Sequence, residues 1–263
     1  MAEIEARIRR YDDSEQDQKR VRFYVGKSEM EGLTAANVKM YTNPLVLAVW
    51  IALSSAFIQL MGWWPKQEHG VFGYFSPLPA FVCMSDRFFR LNRDDFMNAM
   101  NNALRRRDLL KIGDYYARSP SSGIFILEYG DKFVGFIAVD ASPDSTSNEV
   151  VVSADSKEKP SFTKGTSEVA TVRHFFVEEP YRAPNMQTDI LQFALKHVFG
   201  SSPKVTTIRA VESPLVPYIG KVLRQEGFKE ERVLDKMGVL RWKRRVVGLT
   251  RDNWVKGAAN PRS

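Results

Sequence analysis

Apolar residues are spaced along this chain in three ways. Within PLVLAVWIALSSAFIQLMGWWP, the twenty residues from Leu45 to Trp64 carry no charge, the length an α-helix needs to cross about 30 Å of hydrocarbon. Trp63 and Trp64 close it, as rings at a headgroup layer do. After KQEHG a second uncharged run, Val71 to Met84, is shorter and holds Pro77 and Pro79. It reads as a tilted, kinked or re-entrant return leg. Elsewhere the pattern is helical or alternating. Phe96, Met100, Leu104 and Leu109–Leu110 share helical spacing, with Asp94 and Asp95 expected near the helix start.

Strand patterns appear at Glu5–Tyr11, at GIFILEY and KFVGFIAVDA around the turn Gly130-Asp131, and at Glu168–Val177. Further strands are expected at Lys204–Val211, Glu230–Leu234 and Val239–Val247. Ser14 caps a first helix. A second runs from Asn185 to Phe199. Ser213 with Pro214 starts a third, which Gly227 ends. Residues 143–167, rich in Ser, Asp, Lys and Pro, read as a mobile surface insertion.

The order of elements predicts one α/β domain with a mixed sheet flanked by helices, interrupted by a transmembrane helical hairpin. Residues 1–43 supply its first strand and helix, 44–84 the hairpin, 85–249 the remainder, and 250–263 a basic tail. If the first strand joins the later sheet, the chain between them crosses the membrane an even number of times. The cations agree: KQEHG holds only Lys66, while Arg87, Arg90, Arg93 and Arg105–Arg107 follow the second run, so both flanks are expected in the cytosol.

Composition adds limits. Cys83 is the only cysteine, so no internal disulfide forms, and three scattered histidines suggest no zinc site. Net charge is +7, and Arg241 to Ser263 alone holds seven Lys/Arg against Asp252. That patch, led by RWKRR, suits anionic lipid or a solvated strand face; no nucleic-acid motif accompanies it, and no nucleic acid is expected as a partner.

The stretch VRHFFVEEPYRAPNMQTDILQFAL, followed by Gly227-Phe228, resembles the GNAT superfamily of acyl-CoA N-acyltransferases. With IRRY near the N-terminus, a membrane hairpin after the first helix, and HFFV before the loop, the chain is most similar to camello-type membrane-anchored N-acetyltransferases. The resemblance covers all but the 143–167 insertion and the tail. It implies acetyl-CoA as cofactor and an amine acceptor on a protein, peptide or small conjugate. It also implies an endoplasmic-reticulum membrane, with the domain facing the cytosol and residues 45–84 in the bilayer.

In that family an Arg/Gln-x-x-Gly-x-Gly/Ala turn aims backbone N–H groups at a pyrophosphate. Here it corresponds to Arg182, Ala183, Pro184, Asn185, Met186 and Gln187. Asn185 stands at the first glycine position, where a left-handed backbone is tolerated, and Gln187 at the second. Pro184 removes one donor. Phe176 and Val177 are the inherited pantetheine contacts.

His174, read as sharing a strand face with Val172, is a candidate general base. Glu168, Asp140 and Glu212 are carboxylates at strand ends. The family's tyrosine, four residues before the glycine, corresponds to Leu223. Tyr218 is about 140° away on the helical wheel, so it is not expected to replace that tyrosine. Two readings therefore stand: an acetyl-CoA-dependent N-acetyltransferase, or a catalytically inactive fold that holds a membrane-protein client. The layout of the second resembles a fungal factor that helps a phosphate transporter leave the endoplasmic reticulum.

Overall fold

A computed structural model describes residues 6–64, 78–150, 162–183 and 185–259. Seven strands form one sheet in the order β1-β2-β3-β4-β5-β7-β6. They are β1 (Ala6–Arg10), β2 (Gly123–Tyr129), β3 (Lys132–Asp140), β4 (Val169–Val177), β5 (Thr207–Glu212), β6 (Lys229–Met237) and β7 (Trp242–Thr250). All neighbours are antiparallel except β4 and β5. A mixed sheet flanked by helices is thus present, as the sequence predicts.

Alternation divides the sheet's two faces. Ile124 and Ile126 of β2 lie in a cluster with Val21, Val25 and Ala103 of helices α1 (Glu15–Tyr41) and α3 (Leu78–Leu104). Their neighbours Phe125 and Leu127 turn to the other face. They join Ile190, Ala194 and Val198 of α5 (Met186–Ser201) and Val222 and Leu223 of α6 (Pro217–Gln225). Burial of these side chains, about 1.5–3 kcal/mol each, is the main force holding helices to sheet.

Capping sets the helix starts. Ser14 Oγ accepts from Asp17 N–H at 3.3 Å to open α1. Asn43 Oδ1 accepts from the amides of Leu45 and Val46, and Pro44 leads α2 (Pro44–Met61). Gly62, at φ 65, ends it in left-handed backbone.

Several element boundaries differ from expectation. β5 starts at Thr207 rather than Lys204, and β7 at Trp242 rather than Val239, because residues 238–241 form the turn before it. The helix through Phe96 starts at Leu78, not near Asp94, and stops at Leu104 before Leu109. Apolar residues from Leu78 onward continue the helix, because Pro79 is harmless in a first turn. The last crossover helix begins at Pro217, not Pro214. Ser213 instead closes a turn, accepting from Leu215 N–H at 3.2 Å. The segment read as a basic tail completes β7 and forms α7 (Arg251–Ala259). Arg251 donates to the carbonyls of Phe199, Ser202 and Val205, so that cation is spent on the end of α5.

α2 is the one described helix long and apolar enough to span a membrane, and only 11% of it is buried. A core helix of a soluble domain would be enclosed on most sides. α2 instead packs mainly against α3 and α1. Within the second apolar run, residues 71–77 lie outside the described residues, and 78–84 form the start of α3. Of the 143–167 insertion, 151–161 lie outside the described residues. Its ends are tied down: Ser145 Oγ donates to Val169 O at 2.6 Å, and Ser167 N–H to Ala141 O at 2.7 Å.

Candidate active site

Strands β4 and β5 pair only from Val169↔Thr207 to Thr171↔Arg209. β4 runs on to Val177 and β5 to Glu212 without further pairing. The two diverge, and a cavity of about 610 Å³ opens between them and α1, α3, α6 and the β6–β7 hairpin. Thr171, His174 and Phe175 line its β4 wall; Tyr218 and Leu223 line it from α6.

A bulge in β4 sets what its wall presents. Ala138 pairs with His174 but Val139 with Val172, so Arg173 is the extra residue. Val172 and Phe175 therefore face α5, while Phe176 faces α1. His174 does not share a face with Val172, as strict alternation implies; the bulge turns it toward Phe136 and the 3-10 turn Arg107–Leu109. There His174 Nε2 meets Asp108 Oδ2 at 2.8 Å, and Tyr116 OH donates to the same oxygen at 3.0 Å.

Burial alone would raise the Asp108 pKa. The His174 ring, with Arg173 and Arg106, outweighs it and holds the carboxyl at about 2. An ionised carboxylate only accepts, so Nε2 carries the proton toward Asp108. Nδ1 makes no hydrogen bond to any described residue.

The same shift predicts a pH effect. A carboxyl lowered in the fold stabilises it above the ordinary value of 3.8, and that contribution disappears as pH falls through about 2. Asp108→Asn should therefore flatten the fall of the thermal midpoint between about pH 4 and 2. A slope identical to wild type would refute the pairing.

Asp140 ends β3 with its side chain buried. Its carboxylate accepts from Tyr115 OH (2.9 Å), Ser142 OH (2.6 Å) and Arg173 Nε (3.0 Å), and Arg118 stands at 3.5 Å. Glu212 is held by Arg224 at 2.6 Å and Arg245 at 3.8 Å. Both carboxylates are ion-paired. Within RWKRR, Arg244 pairs with Asp235 and Arg245 also with Glu230.

The turn after β4 is placed as follows. Asn185 sits at φ 60, the left-handed conformation that a glycine would supply. Ala183 and Asn185 are exposed; Met186 and Gln187 are buried at the head of α5. The first amides of a helix have no acceptor within it. Gln187 Oε1 is buried without a partner. Arg182 forms a bidentate pair with Glu31 at 2.7 and 2.8 Å, donates from Nε to Val177 O at 2.7 Å, and lies 3.7 Å from the Tyr218 ring. Its donors face α1 and β4. The β4 end meets α6 through the phenol of Tyr218, whose oxygen accepts from Val177 N–H at 3.3 Å.

Tyr218 and Leu223 point differently, as the wheel predicts, yet both reach the cavity. Leu223 packs in the core. Tyr218, in the first turn of α6, extends to β4, which sequence spacing did not reveal because the helix start was placed three residues early. Burial, with Glu31 adding to it, lifts the phenol pKa well above its usual value and keeps it protonated. Asp108 and Tyr116 were also missed, since nothing in their local sequence marks the turn that brings them to β4.

No protein-family profile and no curated protein matches the chain. Among solved structures it is similar to the ribosomal-protein-S5-alanine acetyltransferase from Vibrio fischeri, at 14% identity and TM-score 0.41 over 56% of this chain and 71% of that one. An acetyltransferase of the GNAT family from Streptococcus pneumoniae shares 10% identity at TM-score 0.41, covering 54% and 75%. Arabidopsis thaliana NAA60, solved in complex with acetyl-CoA, shares 11% at TM-score 0.36, covering 49% and 76%.

Proposed function

We propose that the protein is a membrane-anchored, acetyl-CoA-dependent N-acetyltransferase acting on an amine of a protein, peptide or small conjugate. The observation that carries this reading is the cavity where β4 leaves β5, with His174 on its wall and Asp108 behind the ring. When bound, acetyl-CoA supplies an acyl group already activated as a thioester. The residues fit it at two points. The turn with left-handed Asn185 and the leading amides of Met186 and Gln187 suit a pyrophosphate. The edge of β4 that leaves β5 beyond Thr171 suits an extended arm, with Tyr218 and Arg182 holding Val177 at its end.

The chemistry left to the chain is proton handling and positioning. His174 Nδ1 accepts the proton that the attacking amine loses, because Asp108 fixes the proton on Nε2. Tyr218 keeps its O–H and can return a proton to the departing sulfur. Arg182, clamped by Glu31 and stacked on Tyr218, positions the β4 end.

α2 supplies the anchor. β1 precedes it and pairs with β2 beyond it, which supports a reading with both flanks on one membrane side. A cytosolic face at the endoplasmic reticulum follows from the camello-type resemblance.

One observation favours a second reading. Arg182 spends its donors on Glu31 and Val177, and the Val177 N–H is taken by Tyr218. A fold so closed would serve as an inactive scaffold or chaperone for a membrane client leaving the endoplasmic reticulum. Calorimetry of the detergent-solubilised protein separates the two. The enzyme gives saturable binding of acetyl-CoA at or below about 1 mM, and Arg182→Ala, which frees the turn and strips Tyr218 of its partner, weakens it roughly tenfold. Absence of heat and of thermal shift at that concentration rejects the enzyme in favour of the scaffold.

A further inference from the structure

The end of the domain nearest α2 carries a second feature that the anchor alone does not explain. α1 and α3 lie side by side, with Gly32 against Phe96 and, further toward α2, Asn37 against Asn92. Asn92 is fully buried. Its Nδ2 donates to Asn37 Oδ1 at 3.0 Å and approaches Met40 Sδ at 3.6 Å; its Oδ1 accepts from Val239 N–H at 2.9 Å. One side chain thus fastens the β6–β7 turn to the last turn of α1, a few residues before Asn43 caps α2.

The turn is shaped for display. Gly238 sits at φ +69, where a Cβ would lie 2.6 Å from the Trp242 ring, and Arg241 at φ 54. The Arg241 N–H donates to Gly238 O at 2.9 Å. Between them Val239 and Leu240 are 46% and 37% exposed, and Leu91 beside Asn92 is 50% exposed. Arg93, Arg241 and Lys243 are exposed around this tip; Asp94 and Asp95 are the acidic residues nearby on α3.

We propose that the Gly238–Arg241 turn is a second membrane contact. Val239 and Leu240 enter the headgroup layer beside α2, while Arg241 and Lys243 meet anionic lipid. The proposal rests on the α2 anchor. Continuity with an apolar span fixes the level of the turn, and an apolar tip ringed by cations suits an anionic leaflet. Two contacts would fix how the cavity faces the membrane, which the anchor alone leaves free to swivel.

The test uses the full chain in vesicles of phosphatidylcholine with and without phosphatidylserine. A Cys83→Ser background receives either Leu240→Cys or, as a distant control on α5, Lys196→Cys, each labelled with an environment-sensitive fluorophore. The expected result is a blue-shifted probe at 240, quenched by shallow doxyl lipids, and a water-like probe at 196. Quenching at 240 should rise with phosphatidylserine and fall about twofold on Arg241→Gln/Lys243→Gln. A vesicle-bound protein whose probe at 240 stays water-like overturns the second contact and leaves the anchor intact. A protein that fails to float with vesicles overturns the anchor and this contact together.

Discussion

Asp140→Ala should lower stability by about 3–5 kcal/mol, the range for removing one partner of a buried ion pair. Its carboxylate is the shared acceptor for Arg173 and Tyr115, with Arg118 close by, and the side chains of both arginines are almost entirely enclosed. Removing it leaves Arg118 with Asp144 and Arg173 with the charge of Asp108 alone, without their shared acceptor. The cation–π contact between Arg118 and Tyr115, at 3.7 Å, cannot replace a full charge. For a chain of this size the thermal midpoint should fall by roughly 10 °C or more. Arg118→Met together with Asp140→Leu should recover part of that loss, because an apolar pair carries no stranded charge. A fall of only a degree or two would show that water reaches the cluster and screens it.

His174→Ala should lower kcat/KM by about 10²–10⁴-fold while leaving acetyl-CoA affinity unchanged, if Nδ1 takes the amine proton. Asp108→Asn should produce a smaller loss with the same acetyl-CoA affinity. An amide can hold the ring but cannot enforce the Nε2–H tautomer. The pair separates chemistry from packing. His174 is a buried neighbour of Phe136, so a purely structural role would lower the thermal midpoint of both variants without changing turnover per folded molecule. Equal turnover in wild type and His174→Ala would remove His174 from the reaction.

Strong local patterns were legible in the sequence. The β2–β3 hairpin, β4, α5 and the apolar α2 follow from alternation, turn residues and run length. Positive φ at Asn185 was legible too, because Asn is the residue after glycine that most readily takes it. Relations set by one inserted residue or by distant packing were not. The bulge at Arg173 moved His174 to the opposite face, and period-2 reasoning cannot see an extra residue. Glu31 and Arg182 lie 151 positions apart, so no spacing rule could bring them together. The commitment of Arg182 to α1 is a tertiary fact, although Arg182 stands where the turn motif puts an arginine.

The pairing of β1 with β2 also sets a timetable for synthesis. Arg7 and Glu128, which clasp across those strands, are 121 positions apart, and α2 lies between them. At ~5–20 residues per second the first strand waits roughly 6–24 s for its partner. During that interval α1 has emerged with Val21 and Val25 uncovered, and the apolar α2 follows it. α2 is therefore complete before the sheet closes, and the N-terminal 43 residues stay without their strand partner for a defined interval.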